Sequence, residues 1–140
     1  MDFGKDPLSG ILIFVLGVLT LGTAVYFLAL RPPLLPEDIR YSGIDIATLP
    51  PAFLDWLGVV FRSWGGFIAG FGIVLLGIGT FVLTGHTRWL SWATAAGVVV
   101  AFGRFVYGNI ILSSDFLWFI AILFLLAAGA ALSLLVRYRR

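Results

Sequence analysis

LSGILIFVLGVLTLGTAVYFLAL, residues 8–30, runs 23 residues without a charge. A hydrocarbon core about 30 Å thick takes about 20 helical residues to cross, so this stretch is long enough to span a bilayer. A secretory signal core is about 7–15 residues long and precedes a small-residue cleavage site. Here the run is longer and ends Leu28-Ala29-Leu30-Arg31-Pro32, which predicts a retained transmembrane helix. Three further stretches meet the same length: 63–85 and 116–136, both uncharged, and 89–110, interrupted only by Arg104. The connections after Gly85 and across 112–115 are short, so the second and third helices pair antiparallel, as do the third and fourth. The expected fold class is all-α: one four-helix transmembrane bundle over residues 1–140, with helices at approximately 8–30, 52–84, 89–110 and 116–136.

Composition points the same way. The chain is 61% hydrophobic and 11% charged, against about half and about a quarter in soluble domains. Its basic excess sits at Arg137, Arg139 and Arg140, which suits anionic lipid headgroups better than nucleic acid. With no cysteine, disulfides, thiolate catalysis and Cys-ligated metal or iron–sulfur centres are excluded.

The first connection differs from the others. Residues 31–51 hold five of the six prolines. Pro32-Pro33 ends helix 1, because proline cannot continue the hydrogen-bond ladder. Pro50-Pro51 suits the first turn of the next helix, with Thr48 nearby as a cap. Ala52–Arg62 is amphipathic and reads as a lead-in that extends helix 2 beyond the membrane, with a bend near Gly65-Gly66. Lys5, Arg88, Arg137, Arg139 and Arg140 fall on the side of the termini, and Arg31, Arg40 and Arg62 on the other. By the positive-inside rule both termini are expected in the cytoplasm, across an inner membrane, with the Pro-rich loop extracytoplasmic.

Arg104 is the sharpest functional signal. It lies about 22 Å along its helix from Trp89, inside the outer part of the hydrocarbon core. Charge at depth is costly, and helical side chains tilt toward the N-terminus, here inward. A buried partner is therefore expected, Asp55 or Asp115, in an outward-facing polar pocket that also holds Arg62 and Asn109. The plainer alternatives are a structural ion pair for Arg104, interface anchoring for Arg62, helix capping for Asp115 after Ser113-Ser114, and interhelical glue for Asn109. Gly66 and Gly70 form a GxxxG pair, and Ala127 and Ala131 repeat the spacing in helix 4. These small residues most simply serve packing within the chain, and in the sharper reading a homodimer seam. His86, alone in a short turn, makes neither a metal site nor a general-base pair. No catalytic motif and no acid at membrane depth is read.

Phe61-Arg62-Ser63-Trp64-Gly65-Gly66-Phe67-Ile68-Ala69-Gly70-Phe71-Gly72 carries an Arg-x-x-Gly-Gly-x-x-x-Gly-x-Gly pattern. It resembles the signature of a family of small bacterial four-helix integral membrane proteins of unknown function, more distantly DoxX-like. The Gly103-Arg104 pair also matches that family, whereas its aspartate-glycine turn after helix 3 is replaced by Ser113-Ser114-Asp115-Phe116. The resemblance covers roughly residues 62–126. It implies a four-helix bundle with both arginines toward one membrane face, and no catalytic residues.

These readings favour a non-catalytic membrane protein without cofactor or metal. It would bind a lipid or hydrophobic small molecule in the pocket of Arg62, Arg104, Asp55, Asn109 and Asp115, or join a homo-oligomer or another membrane protein. The alternatives are a small transporter component and, further off, a lipid-modifying enzyme using Asp55, Asp115 and Tyr107.

Overall fold

The computed structural model describes residues 6–85 and 87–137, which form helices and connecting turns. Helix α1 (Pro7–Val25) continues through a π-helical turn, Tyr26–Leu30. The short α2 (Pro36–Ser42) and a single 3-10 turn (Ile46–Thr48) occupy the proline-rich connection. Then come α3 (Pro51–Thr84), α4 (Arg88–Ile111) and α5 (Leu117–Arg137). Four of these helical segments are long and apolar enough to cross a membrane, and their bounds fall within one residue or so of the sequence expectation. The architecture is that of a multi-pass membrane protein. Side chains such as Phe67, Val100, Leu125 and Leu132 are largely exposed around the bundle, a surface that lipid solvates and water does not.

Local chemistry explains the ends. Asp6 caps α1 and Pro7 opens it, where a missing N–H costs nothing. Pro36 opens α2, and Gly43 closes it with φ 67°, the left-handed conformation that favours glycine. The stretch read as a plain loop therefore contains a helix. Helix α3 is 34 residues long, about 50 Å, and runs through Gly65-Gly66 without a break. Its first three turns are the expected lead-in and stand beyond a bilayer-thick span.

The spans are arranged with α1 between α3 and α5, and α5 between α1 and α4. α3 and α4 hardly approach each other along their backbones and meet through Phe71 and Phe102, whose rings are 6.1 Å apart. Ile13, Leu16, Leu75, Val98, Leu123, Ala127 and Ala131 form the buried core.

The closest seam is α1 against α3, built from glycines seven residues apart. A methyl group on Gly65, Gly72 or Gly79 of α3 would come within 3.0 Å of Leu28, Leu21 or Phe14 of α1. In return, one on Gly10 or Gly17 of α1 would come within 3.0 Å of Leu83 or Leu76. A seven-residue period keeps one stripe of each helix on the other, and small residues let the backbones touch. Gly66 and Gly70 are not part of this seam; a methyl group on either meets nothing within 4 Å. The packing expected of that GxxxG pair within the chain is made by its neighbours, one residue before Gly66 and two after Gly70. Ala127 and Ala131, by contrast, are buried.

Candidate functional site

The side of the bundle that carries α2 is termed the cap side and the other the terminal side. Arg104 leaves α4 seven residues before its end at Ile111, about 10 Å below that end. Its guanidinium turns toward the cap side. Nη1 lies 3.5 Å from the place a methyl on Gly108 would take, and Cζ is 5.3 Å from the centre of the Tyr107 ring. Arg62 does the mirror of this on α3, its Nη2 lying 3.5 Å from the corresponding place on Gly58. Each arginine runs over a glycine one turn nearer the cap side and stays exposed. The inward tilt expected for Arg104 is overcome because Gly108 leaves the groove along α4 empty.

The pocket expected around these arginines does not assemble. Among the described residues the ion pairs are Arg31–Asp38 and Arg40–Asp115, each at 2.9 Å. Asp115 is therefore engaged by Arg40, and its carboxylate raises the pKa of that exposed guanidinium, first through the hydrogen bond. It does not cap α5; Ser114 Oγ accepts from Phe116 N instead, at 3.2 Å. Asn109 donates to the Phe105 carbonyl of its own helix at 2.9 Å. Asp55 is exposed and forms neither ion pair. Arg62 stands nine positions before Phe71, about two and a half turns, so it leaves the side of α3 opposite to the one Phe71 presents to α4.

Gly108→Ile is expected to close the groove and strand Arg104 below the interface. The expected cost is about 1–2 kcal/mol, less than the mid-membrane penalty of a charge. Gly108→Ala, at ordinary contact distance, should be neutral, and Arg104→Leu should rescue Gly108→Ile. Thermal unfolding of the three variants in detergent checks this; no rescue would show that the arginine does not use the groove.

A different cluster holds the cap in place. Glu37 of α2 is only 2% exposed. Its Oε1 accepts from the Ser114 hydroxyl at 2.8 Å, while Oε2 is buried without a hydrogen-bond partner. Arg31 stacks over the Phe61 ring at 3.4 Å while bonded to Asp38. Two rarer backbone features border this cluster: the π-helical turn of α1 and Ser113, among the described residues the non-glycine residue with positive φ (50°). Such features recur at functional sites.

On the terminal side Asp6 is 4% exposed. It accepts from Ser9 N at 3.2 Å and from the Ser9 hydroxyl at 2.6 Å, and Ser133 Oγ lies 2.7 Å from Ser9 Oγ. An open groove of about 560 Å³ between α1 and α5 borders this relay, lined by Leu8, Gly129 and Val136 among others. Two acids are thus buried at opposite ends of the bundle, where sequence reading placed none. Glu37 is bonded to Ser114, 77 residues away, and Asp6 to Ser9, which itself meets Ser133, 124 residues along the chain from it. His86, Lys5, Arg139 and Arg140 lie outside the described residues, so part of the charge count that orients the termini does too.

The outer face of α3 carries the remaining feature. Gly66, Gly70 and Gly77 face open space, and an open groove of about 490 Å³ runs along Ser63, Gly66, Phe67, Gly70 and Phe71. Phe67 is 83% exposed beside it. Compared with protein-family models, curated proteins and solved structures, the chain matches none.

Proposed function

We propose that this protein is a non-catalytic membrane subunit that self-associates through the outer glycine face of α3. The observation that carries the reading is the contrast between two glycine stripes on one helix. Gly65, Gly72 and Gly79 are filled by α1, while Gly66, Gly70 and Gly77 are open. Membrane helices associate by close packing rather than by escape from water, and small residues permit it. A second copy of the chain suits the open face, because a two-fold axis along the membrane normal sets this patch against itself. The Phe67 ring of one copy then has the Gly66–Gly70 hollow of the other to fill.

A second reading rests on Arg62 and Arg104. Both point to the cap side, both are exposed, and neither has an acidic partner among the described residues. Two such cations at one interface favour anionic headgroups. With both termini in the cytoplasm of a bacterial inner membrane, these would be outer-leaflet lipids. The enzyme reading has less support, since Asp115 is bonded to Arg40 and Tyr107 lies beside the Arg104 guanidinium.

Native mass spectrometry of the protein released gently from its membrane tests both readings. A dimer mass is expected, lost in Gly70→Leu, a change that meets open space within one chain. Bound anionic lipid is expected to fall in Arg62→Ala/Arg104→Ala. A monomer at every concentration would overturn self-association, and unchanged lipid in the double variant would overturn the headgroup role.

A further inference from the structure

Helix α3 repeats itself every seven residues on its open side. Phe53, Val60, Phe67, Val74 and Phe81 stand seven apart, and all but the half-buried Val60 are exposed. Beside this column of large side chains runs a column of small ones, Ser63, Gly70, Gly77 and Thr84, also exposed. Val59, Gly66, Ile73 and Thr80 make a third exposed column. Together the second and third alternate steps of three and four from Val59 to Thr84, and one more step of three back from Val59 reaches Trp56. That is the spacing by which one helix follows another. Held over several heptads, it winds a pair left-handedly. A GxxxG pair alone gives instead a right-handed crossing of about −40° that touches around one point.

Within the membrane such a stripe is solvated by lipid and needs no partner. Beyond it the case is different. A hydrocarbon span of about 20 residues, counted back from Thr84, ends near Trp64. Trp56 stands eight residues further on, about 12 Å, and headgroups add only about 5–8 Å on each side. Yet Trp56 is 57% exposed and Val59 56%, and Phe53 lies against Trp56 with ring centres 5.6 Å apart. Large apolar side chains gathered on one face in water mark an interaction surface. These belong to the same columns as the open glycines, so one partner covers both. The groove along Ser63, Gly66 and Gly70 leaves it room. Two copies of one chain cross the membrane in the same direction, so their α3 helices run parallel. A two-fold axis then sets the large column of each copy against the small column of the other.

We infer that two copies join α3 to α3 as a parallel, left-handed coiled coil that runs from Trp56 to Thr84 and includes the lead-in outside the membrane. The inference rests on the self-association proposed above and adds the partner's direction, the register and the reach into water. The two ends of the seam contribute differently. Glycines in the span let the backbones approach, where lipid gives no hydrophobic drive. Trp56 and Val59 supply that drive outside it, where water does.

The chain has no cysteine, so single thiols report contacts between copies without background. Val59→Cys, Ile73→Cys and Thr80→Cys replace exposed residues of one column, and Trp64→Cys, exposed on another side of the helix, is the control. Each is oxidised mildly in native membranes, and disulfide-linked dimer is read on a gel. A disulfide needs Cα atoms within about 7 Å, which a coiled coil keeps along its whole length. All three column variants are therefore expected to link and Trp64→Cys to stay monomeric. Two helices crossing right-handedly at Gly66 and Gly70 would part by on the order of 10 Å toward Thr80. If Gly66→Cys or Gly70→Cys links while positions 59 and 80 do not, the coiled coil is overturned and self-association stands. If Trp64→Cys links as readily as the rest, the contacts are random collisions and the inference fails. Linkage at no position overturns it too, and the native mass then decides whether self-association falls with it.

Discussion

Gly79→Leu is expected to prevent the bundle from forming, and Gly79→Ala to destabilise it by about 1–3 kcal/mol, the usual range for overpacking a tight interior. The reason is what the new atom meets. A methyl on Gly79 would lie 2.7 Å from Phe14 N, 2.9 Å from Phe14 Cα and 3.0 Å from the Gly10 carbonyl oxygen. These are backbone atoms, which cannot rotate aside as a side-chain terminus does. The helices must part, and parting them also lifts Gly72 and Gly65 from Leu21 and Leu28 along the same stripe. Gly22→Ala is the control. It lies on α1, outside the seam and away from the open face of α3, and meets nothing within 4 Å, so it gains the helix propensity of alanine, up to about 1 kcal/mol, without a clash. Thermal unfolding in one detergent measures both. Equal stability of the two variants would mean that the glycine seam does not hold α1 to α3.

That seam shows what sequence reading reaches here. The four spans were legible almost to the residue, because a run of twenty uncharged residues is a strong signal that tertiary context seldom overrides. The choice of glycine face was not. A GxxxG pair at Gly66 and Gly70 catches the eye, yet the deciding pattern is the seven-residue period of Gly65, Gly72 and Gly79, answered by Gly10 and Gly17 on α1. Both patterns were present, and only a partner helix chooses between them. Arg104 is a similar case. Its depth was readable, but its direction depended on an absent side chain at Gly108, one turn on. The pocket built on Arg62 and Arg104 went wrong for the same reason: spacing along a helix says which residues share a face, not which faces of two helices meet. The buried acids were the hardest to see. Glu37 lies in a stretch rich in proline and charge, and nothing local announces that a serine 77 residues later receives it.

Around that acid, the variant that looks milder is expected to do more harm. Ser114→Ala should cost about 2–3 kcal/mol, whereas Glu37→Met should cost clearly less. Among the described residues the Ser114 hydroxyl is the one donor to the Glu37 carboxyl group, at 2.8 Å, and the other carboxyl oxygen already has none. Removing the hydroxyl leaves an acid that is 2% exposed with both oxygens unserved. Losing the sole partner of a buried polar group exacts its full desolvation cost, about 1–3 kcal/mol and more for a charge. Removing the acid has a different effect. Methionine fills a similar volume with apolar atoms, and exchanging a poorly paired buried acid for packed apolar atoms is often close to neutral. Ser114 keeps its bond from Phe116 N at 3.2 Å, and Arg40–Asp115 still clasps α2 to the α4–α5 turn. The double variant Glu37→Met/Ser114→Ala should therefore be more stable than Ser114→Ala alone. A double-mutant cycle on thermal unfolding isolates this coupling from the loss of the Phe116 bond. If Glu37→Met proves the more damaging single change, the carboxyl group is holding the cap through a partner other than Ser114. If the expected order holds, Glu37 contributes little to the stability of the cap, and α2 is held chiefly by the Arg40–Asp115 pair and the packing around Arg31.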